Sequence, residues 1–245
     1  MTMTSIIIPT YNGLDLLQTC VESITAHTDT PYEIIVVDNG SEDRTTAYCR
    51  SKKITFISMP ANAGFPVACN AGINLAYGDE LLLLNNDVLV SRGWLSNMKR
   101  ALYSAPDVGI VGPVTNYASG RQQVETFYEG TADFYLAAEK ANIPDPSKWT
   151  ETRRLVGLCF LFKREVLDKV GLLDERFSPG HYEDDDYCFR ARLHGYRLLI
   201  AGDTLVHHEG SASFKQVFNE GWQGLVERNR KLFIDKWHTD PAVFI

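Results

Sequence analysis

The sequence predicts an α/β fold, a mostly parallel central sheet flanked by helices. Three observations carry this. Short apolar runs alternate with stretches of helical periodicity. Several of those runs contain no polar residue, as in strands buried on both faces. Each ends in a short polar loop rich in Asn, Asp or Gly. With 245 residues and 44% hydrophobic content, the chain can bury one large core. A single domain is therefore expected over 1–245, with a first half near 1–114, a second near 115–213 and a helical segment over 214–245.

The elements follow in order. Ser5-Ile6-Ile7-Ile8-Pro9 reads as a buried strand closed by proline, with Thr10-Tyr11-Asn12-Gly13 as the loop beyond it. Leu14, Leu17, Val21 and Ile24 then recur at helical spacing. Tyr32 to Asp38 is a second strand ending in an acid, and Asn39-Gly40-Ser41 is its turn. Ser41 reads as the N-cap of the next helix, with Glu42 and Asp43 suited to its positive end. Ile54 to Met59 predicts a third strand, followed by Asn62-Ala63-Gly64-Phe65 and a helix through Ala68, Ala71, Gly72 and Leu75.

Leu81 to Leu84 is an unbroken leucine run that ends in Asn85-Asn86-Asp87. In open α/β sheets the ligand crevice lies beyond the carboxyl ends of the strands, which would put Asp87 at its rim. The same three residues equally suit a plain turn. Trp94 to Tyr103 predicts a helix and Val108 to Val114 a strand, and the repeating units imply a doubly wound sheet with right-handed crossovers. Between Thr115 and Arg154 the periodicity fades into a long loop or lid carrying Tyr117, Phe127, Tyr128, Phe134, Tyr135 and Trp149. Those aromatics either pack over the sheet or stack on a ligand. Leu155 to Phe162 reads as a strand, Lys163 to Val170 as a short helix stopped by Gly171, and Leu198 to Ala201 and Leu205 to Ser211 as separate strand-like runs. A terminal amphipathic helix is expected from Phe214 to Trp237.

Composition excludes some functions. The net charge of −7 argues against a general nucleic-acid surface, which needs clustered Lys and Arg. Five cysteines without CxxC spacing fit reduced thiols in a cytoplasmic protein. No apolar run approaches the ~18 residues of a membrane span, and the first residues lack the pattern of a signal peptide. Neither GxGxxG nor GxxxxGK[ST] is present, so any phosphate must be held in another way, and a divalent ion is the simplest for an acidic chain.

Two clusters could do chemistry. Glu183-Asp184-Asp185-Asp186 should form the first turn of a helix, with Asp186 and Arg190 as an i,i+4 pair. Four adjacent carboxylates repel, so at least one should titrate above its ordinary range, which suits a general base. His207-His208 follows an apolar strand and suits a metal ligand, a substrate donor or a buried histidine. Carboxylate with imidazole suits Mn²⁺, while carboxylate, phosphate and water suit Mg²⁺.

Six motifs stand in one order: Ile7-Ile8-Pro9-Thr10-Tyr11-Asn12, Val36-Val37-Asp38-Asn39-Gly40-Ser41, Asn62-x-Gly64-Phe65 with Asn70-x-Gly72, Leu84-Asn85-Asn86-Asp87, Glu183-Asp184 with Asp186 and Arg190, and His207-His208. In that order the chain resembles family 2 glycosyltransferases over about Thr4 to Ser213. The resemblance implies the GT-A fold and an inverting transfer from a nucleotide-sugar donor, UDP- or dTDP-linked, assisted by Mn²⁺ or Mg²⁺. It implies a glycan, lipid-linked or protein acceptor, with peripheral membrane association through that acceptor and no nucleic acid.

By motif position, Pro9, Thr10, Tyr11 and Asn12 would lie against the nucleoside and Asp38 would hydrogen-bond the base, with Asn39, Asn62, Gly64, Phe65, Asn70, Asn85 and Asn86 completing the donor site. Asn85-Asn86-Asp87 stands where the family carries its DxD motif, which leaves Asp87 as the charged metal ligand, joined by His208 or His207. Asp184 matches the catalytic base, with Glu183 beside it. A reading from another class is a catalytically silent module of the same fold that binds a sugar nucleotide or glycan.

Overall fold

Residues 2–210 and 222–244 are described by the computed structural model of the protein. The Ile-rich strand β1 (Thr4–Thr10) is buried along its whole length. It pairs in parallel with β2 (Tyr32–Asp38) on one side and β4 (Glu80–Leu84) on the other. β3 (Thr55–Ser58) extends the parallel set beyond β2. Helices α1 (Leu14–His27), α2 (Thr45–Ser51) and α3 (Phe65–Leu75) make the crossovers. The sheet continues through β5 (Val88–Leu89), β6 (Val108–Thr115), β7 (Trp149–Thr152), β8 (Cys159–Lys163) and β9 (Arg197–His208), in the order β3-β2-β1-β4-β8-β6-β9-β5, with β7 paired to β9.

The leucine run is buried on both faces, as its lack of polarity implies. Leu82 and Leu84 join Ile6 and Ile8 against α1 and α4 (Trp94–Leu102) through Leu17, Ile24, Trp94 and Met98. Leu81 and Leu83 join Ile7 on the opposite face, against Ala68 and Ile73 of α3 and Tyr187 further along the chain. The doubly wound expectation holds for β1 to β4. Past them it changes, because β8 inserts antiparallel between β4 and β6, with Leu82 opposite Leu161.

Three readings are corrected. The 115–154 stretch is not a patternless lid: it holds α5 (Gly130–Ala141), which packs Phe134 and Ala138 with Leu89 and Leu205, and then β7. The runs at 198–201 and 205–208 are one strand, β9, because Gly202-Asp203-Thr204 is a bulge and not a turn; Pro113 pairs with Ala201 and Val114 with Leu205. Ser41 does not cap α2. The N-cap position is Arg44, without a side-chain cap; Asp43 Oδ1 accepts from Thr45 N at 2.9 Å, while Ser41 Oγ accepts from Asn12 N at 2.9 Å. Further on come α6 (Arg164–Val170), ended by Gly171 at φ 84°, and α7 (Glu183–Leu193). The last described helix is α8 (Trp222–Trp237), and the 214–221 part of the expected terminal helix lies outside the described residues. All five cysteines are buried and free.

Gly72 shows how tightly α3 lies on the sheet, since a Cβ there would sit 2.4 Å from Ile7 Cγ2 and 3.0 Å from Val37 Cγ2. Gly72→Ala should therefore destabilise the fold by about 1–3 kcal/mol, read from chemical denaturation midpoints.

Candidate functional site

Parallel pairing aligns Thr10 with Asp38, and β4 ends beside them, so three polar strand ends share one rim of the sheet. Asp38 is buried there, its two oxygens held by Ser41 N at 2.9 Å and Ser58 Oγ at 3.3 Å. Asn12 Oδ1 accepts from Glu42 N at 2.8 Å, tying the first loop to the second. Pro9 is buried within β1, while Tyr11 is half-buried beyond it.

Several predicted donor contacts are spent on the protein itself. Asn39 donates to Asn62 Oδ1 at 3.0 Å and Gly64 O at 3.3 Å, and accepts from Ala63 N at 3.0 Å. The Asn70 side chain clasps the 173–175 turn, donating to Leu173 O and Glu175 Oε1 and accepting from Leu173 N, each at 2.9 Å. Asn86 is buried and donates to Thr10 Oγ1 at 2.8 Å. These asparagines shape the loops. Gly64 lies at φ 95°, a backbone region that favours glycine, and the next N–H, of Phe65, donates to Pro179 O at 2.8 Å.

Asp87 and His208 meet across the β5–β9 pair, with Asp87 Oδ1 and His208 Nε2 at 3.2 Å. Asn85 Nδ2 lies 3.5 Å from the same nitrogen. The other ring nitrogen, Nδ1, is 2.8 Å from Tyr117 O, and Asn116 grips the His208 backbone at N (2.8 Å) and O (3.1 Å). With Nδ1–H donating to a carbonyl, Nε2 is the nitrogen turned toward the carboxylate, the arrangement that orients metal-binding imidazoles. Burial opposes the charged imidazolium, yet the hydrogen bond and charge of Asp87 outweigh it and raise the His208 pKa.

Strand alternation sends His207 to the other face. There it lies 3.0 Å from Tyr128 Oη and 3.3 Å from Glu209, beside the Phe134 ring, so His208 and not His207 reaches Asp87. Among the described residues no group of three or more His, Cys, Asp or Glu side chains converges as a metal cage. An oxygen and an imidazole nitrogen nevertheless suit an ion that takes its remaining ligands from phosphate and water.

The acid cluster opens α7, and each carboxylate has a different surrounding. Asp186 is fully buried and bonds Arg190 Nε and Trp237 Nε1, each at 2.8 Å, as well as Lys236. Asp185 pairs with Arg154 at 2.6 Å. Glu183 is buried with Oε2 unpartnered. Asp184 is half-buried, its Oδ2 accepting from Gly157 N at 2.9 Å and its Oδ1 from Asp185 N at 2.9 Å. Burial first, and the Asp184 charge second, push Glu183 well above the usual carboxylate range. The same two causes push Asp185 up to about 7 against the opposing pull of Arg154.

One short segment joins the two clusters. Gly157 N binds Asp184 and Leu158 O accepts from Asn85 N at 2.9 Å, so the acid and the Asn85-Asn86-Asp87 strand end flank the same pair of residues. Sequence reasoning missed Arg154 and Asn116. Asn116 follows the carboxyl end of β6, the one signal that could have marked it. Nothing local in the sequence marks Arg154 as the partner of an acid on α7.

The family model for glycosyl transferase family 2 matches residues 5–171. The O-antigen biosynthesis protein RfbC of Myxococcus xanthus is 30% identical over 85% of this chain and 17% of its own length. A solved mannosyltransferase, PcManGT of Pyrobaculum calidifontis in complex with GDP-Man and Mn²⁺, superposes with a TM-score of 0.63 at 24% identity, over 84% of this chain and 56% of that one. The structure of GalNAc-T7 with UDP, GalNAc and Mn²⁺ superposes with a TM-score of 0.67 at 17% identity, over 85% of this chain and 44% of that one. The fold is thus that of GT-A glycosyltransferases. The chain belongs to glycosyl transferase family 2. It spans 25% and 17% of the length of two curated relatives it matches, and about half of the two solved chains.

The raised acids carry a pH signature. A carboxyl group whose folded pKa exceeds its unfolded value of about 4 keeps a proton that the unfolded chain has released, so stability falls as pH rises through that window. Glu183→Gln mimics the protonated form. Its thermal midpoint should fall less than that of the wild type between about pH 5 and about pH 8 in a scanning calorimeter.

Proposed function

We propose that this chain is an inverting glycosyltransferase that moves a sugar from a nucleotide-sugar donor to a hydroxyl of a glycan, lipid-linked or protein acceptor. The observation that carries this reading is the 157–158 segment, which holds Asp184 on one side and the Asn85-to-Asp87 strand end on the other, so that base and diphosphate site would face a common cleft. Mn²⁺ in both solved neighbours supports a divalent ion here, with Asp87 and His208 as its protein ligands. When bound, such an ion would neutralise charge building on the leaving diphosphate.

The remaining steps fall to the chain's own residues. Asp38, fixed by Ser41 N, presents a carboxylate at the end of β2 for a base edge. The acceptor oxygen attacks the anomeric carbon while Asp184 takes its proton, and the bond to the diphosphate oxygen breaks with its electron pair leaving on phosphate. A single displacement of this kind inverts the centre. Two backbone N–H groups, of Gly157 and Asp185, hold the Asp184 carboxylate in a fixed orientation. Burial raises the Glu183 carboxyl well above the usual carboxylate range, which opposes a second negative charge beside Asp184. A UDP-sugar is the first donor to test, with dTDP- and GDP-sugars beside it, since the neighbours were solved with UDP and with GDP-Man. No described helix is long and apolar enough to cross a membrane, and a lipid-linked acceptor would be met at the membrane surface.

Asp184→Asn should lower the transfer rate by about 10²–10⁴-fold while donor affinity, read by calorimetry, stays unchanged. Near wild-type turnover in that variant would remove Asp184 from the base role. For Asp87→Ala the expected result is loss of Mn²⁺-dependent donor binding. Equal, metal-independent binding by both proteins would overturn the assignment. Turnover of any donor with Mn²⁺ present also separates a catalyst from a silent binding module.

A further inference from the structure

The turn that delivers Asp184 is held from outside the sheet, by a helix that lies beyond the residues matched to the family. Immediately before Glu183, His181 and Tyr182 both sit in the left-handed backbone region, at φ 74° and 71°. Neither is glycine, and two such residues in succession persist only where surrounding contacts over-determine them. Those contacts come from Asn229 of α8. Its side chain is fully buried, and its Nδ2 lies 2.7 Å from Phe177 O, 2.8 Å from Gly180 O and 3.1 Å from His181 O. Arg228 orients that amide, donating to Asn229 Oδ1 from Nε at 2.9 Å and also bonding Ser178 O. From the other side, the Pro179 carbonyl is fixed by Phe65 N.

We infer that Asn229 is a positioning residue for the transfer reaction: its amide locks the 177–182 turn in the left-handed form that aims Asp184 at the cleft. The inference rests on the reading of Asp184 as the base. The physical link is short, because Tyr182 O accepts the Asp186 N–H at 2.9 Å in the first turn of α7. Relaxation of residues 181 and 182 to the right-handed region would swing that turn, and Asp184 with it. Donor contacts on β1, β2 and β4 belong to other elements and would be left in place.

Asn229→Ala is the test. Its kcat should fall about 10- to 100-fold, as expected for a misplaced catalytic group, with donor KM within about twofold of wild type. Amide hydrogen exchange over residues 182–186 should accelerate. Adding Tyr182→Gly, which makes a left-handed backbone sterically free at that position, should recover most of the lost kcat. A merely structural role predicts no such recovery, so a loss that the glycine fails to restore overturns the inference, as does a kcat within about twofold of wild type. If Asn229→Ala does not fold, Arg228→Ala at the exposed edge of the same clasp is read by the same measurements. Should the wild-type chain transfer sugar from no donor, the functional reading fails first. Exchange over 182–186 then decides the turn-locking alone, and unchanged exchange in the variant overturns it.

Discussion

Parallel pairing of β1 with its two neighbours is the constraint on which the site depends. Thr10 and Asp38 are register partners, and β4 runs alongside in the same direction, so the polar residues that follow each apolar run must emerge on one edge. The apolar runs are held in place by burial on both faces, where leucines and isoleucines of β1 and β4 contact helices above and below. A slip of one residue would exchange these faces and move every strand end off the rim.

On that edge, polar groups divide into those that build and those that remain available. Asn39, Asn62, Asn70 and Asn86 bond to one another, to the backbone or to the Thr10 and Glu175 side chains and so cross-link loops that are far apart in sequence. Asp87 and His208 pair with each other at the strand ends, and Asp184 is held by two backbone N–H groups. The acid cluster divides in the same way. Asp185 and Asp186 are committed to Arg154, Arg190, Lys236 and Trp237, and Glu183 is too deeply buried to ionise readily, which leaves Asp184 as the carboxylate with partial exposure. Placing a buried Glu183, whose ionisation is disfavoured, and a paired Asp185 on either side of Asp184 limits the repulsion that four adjacent charges would impose.

Legibility in the sequence followed the range of the forces involved. Strands β1, β2 and β4 were readable almost to the residue because uninterrupted Ile, Val and Leu runs leave no alternative to double burial. The 115–154 region was misread because α5 buries only Phe134 and Ala138 and so shows little periodicity. Gly202-Asp203-Thr204 has the composition of a turn, and only pairing across to Pro113 and Val114 makes it a bulge. Among candidate site residues, the strand-end rule points to Asp87 and the charge run to Asp184. It was strand alternation across the β5–β9 pair that separated His208 from His207.

By itself the sequence determined the alternation of elements, the apolar strands and the set of polar residues available at their ends, because these depend on local pattern and on burial of contiguous side chains. Tertiary structure decided which of those residues bond to the protein itself and which are brought together. The antiparallel insertion of β8 carries Gly157 and Leu158 to a position between Asn85 and Asp184. The reach of Asn229 from α8 to the 177–182 turn spans some 50 residues of chain. Hydrogen bonds between segments so distant leave no periodic trace in the sequence, since each is set by geometry that exists only after the sheet has formed.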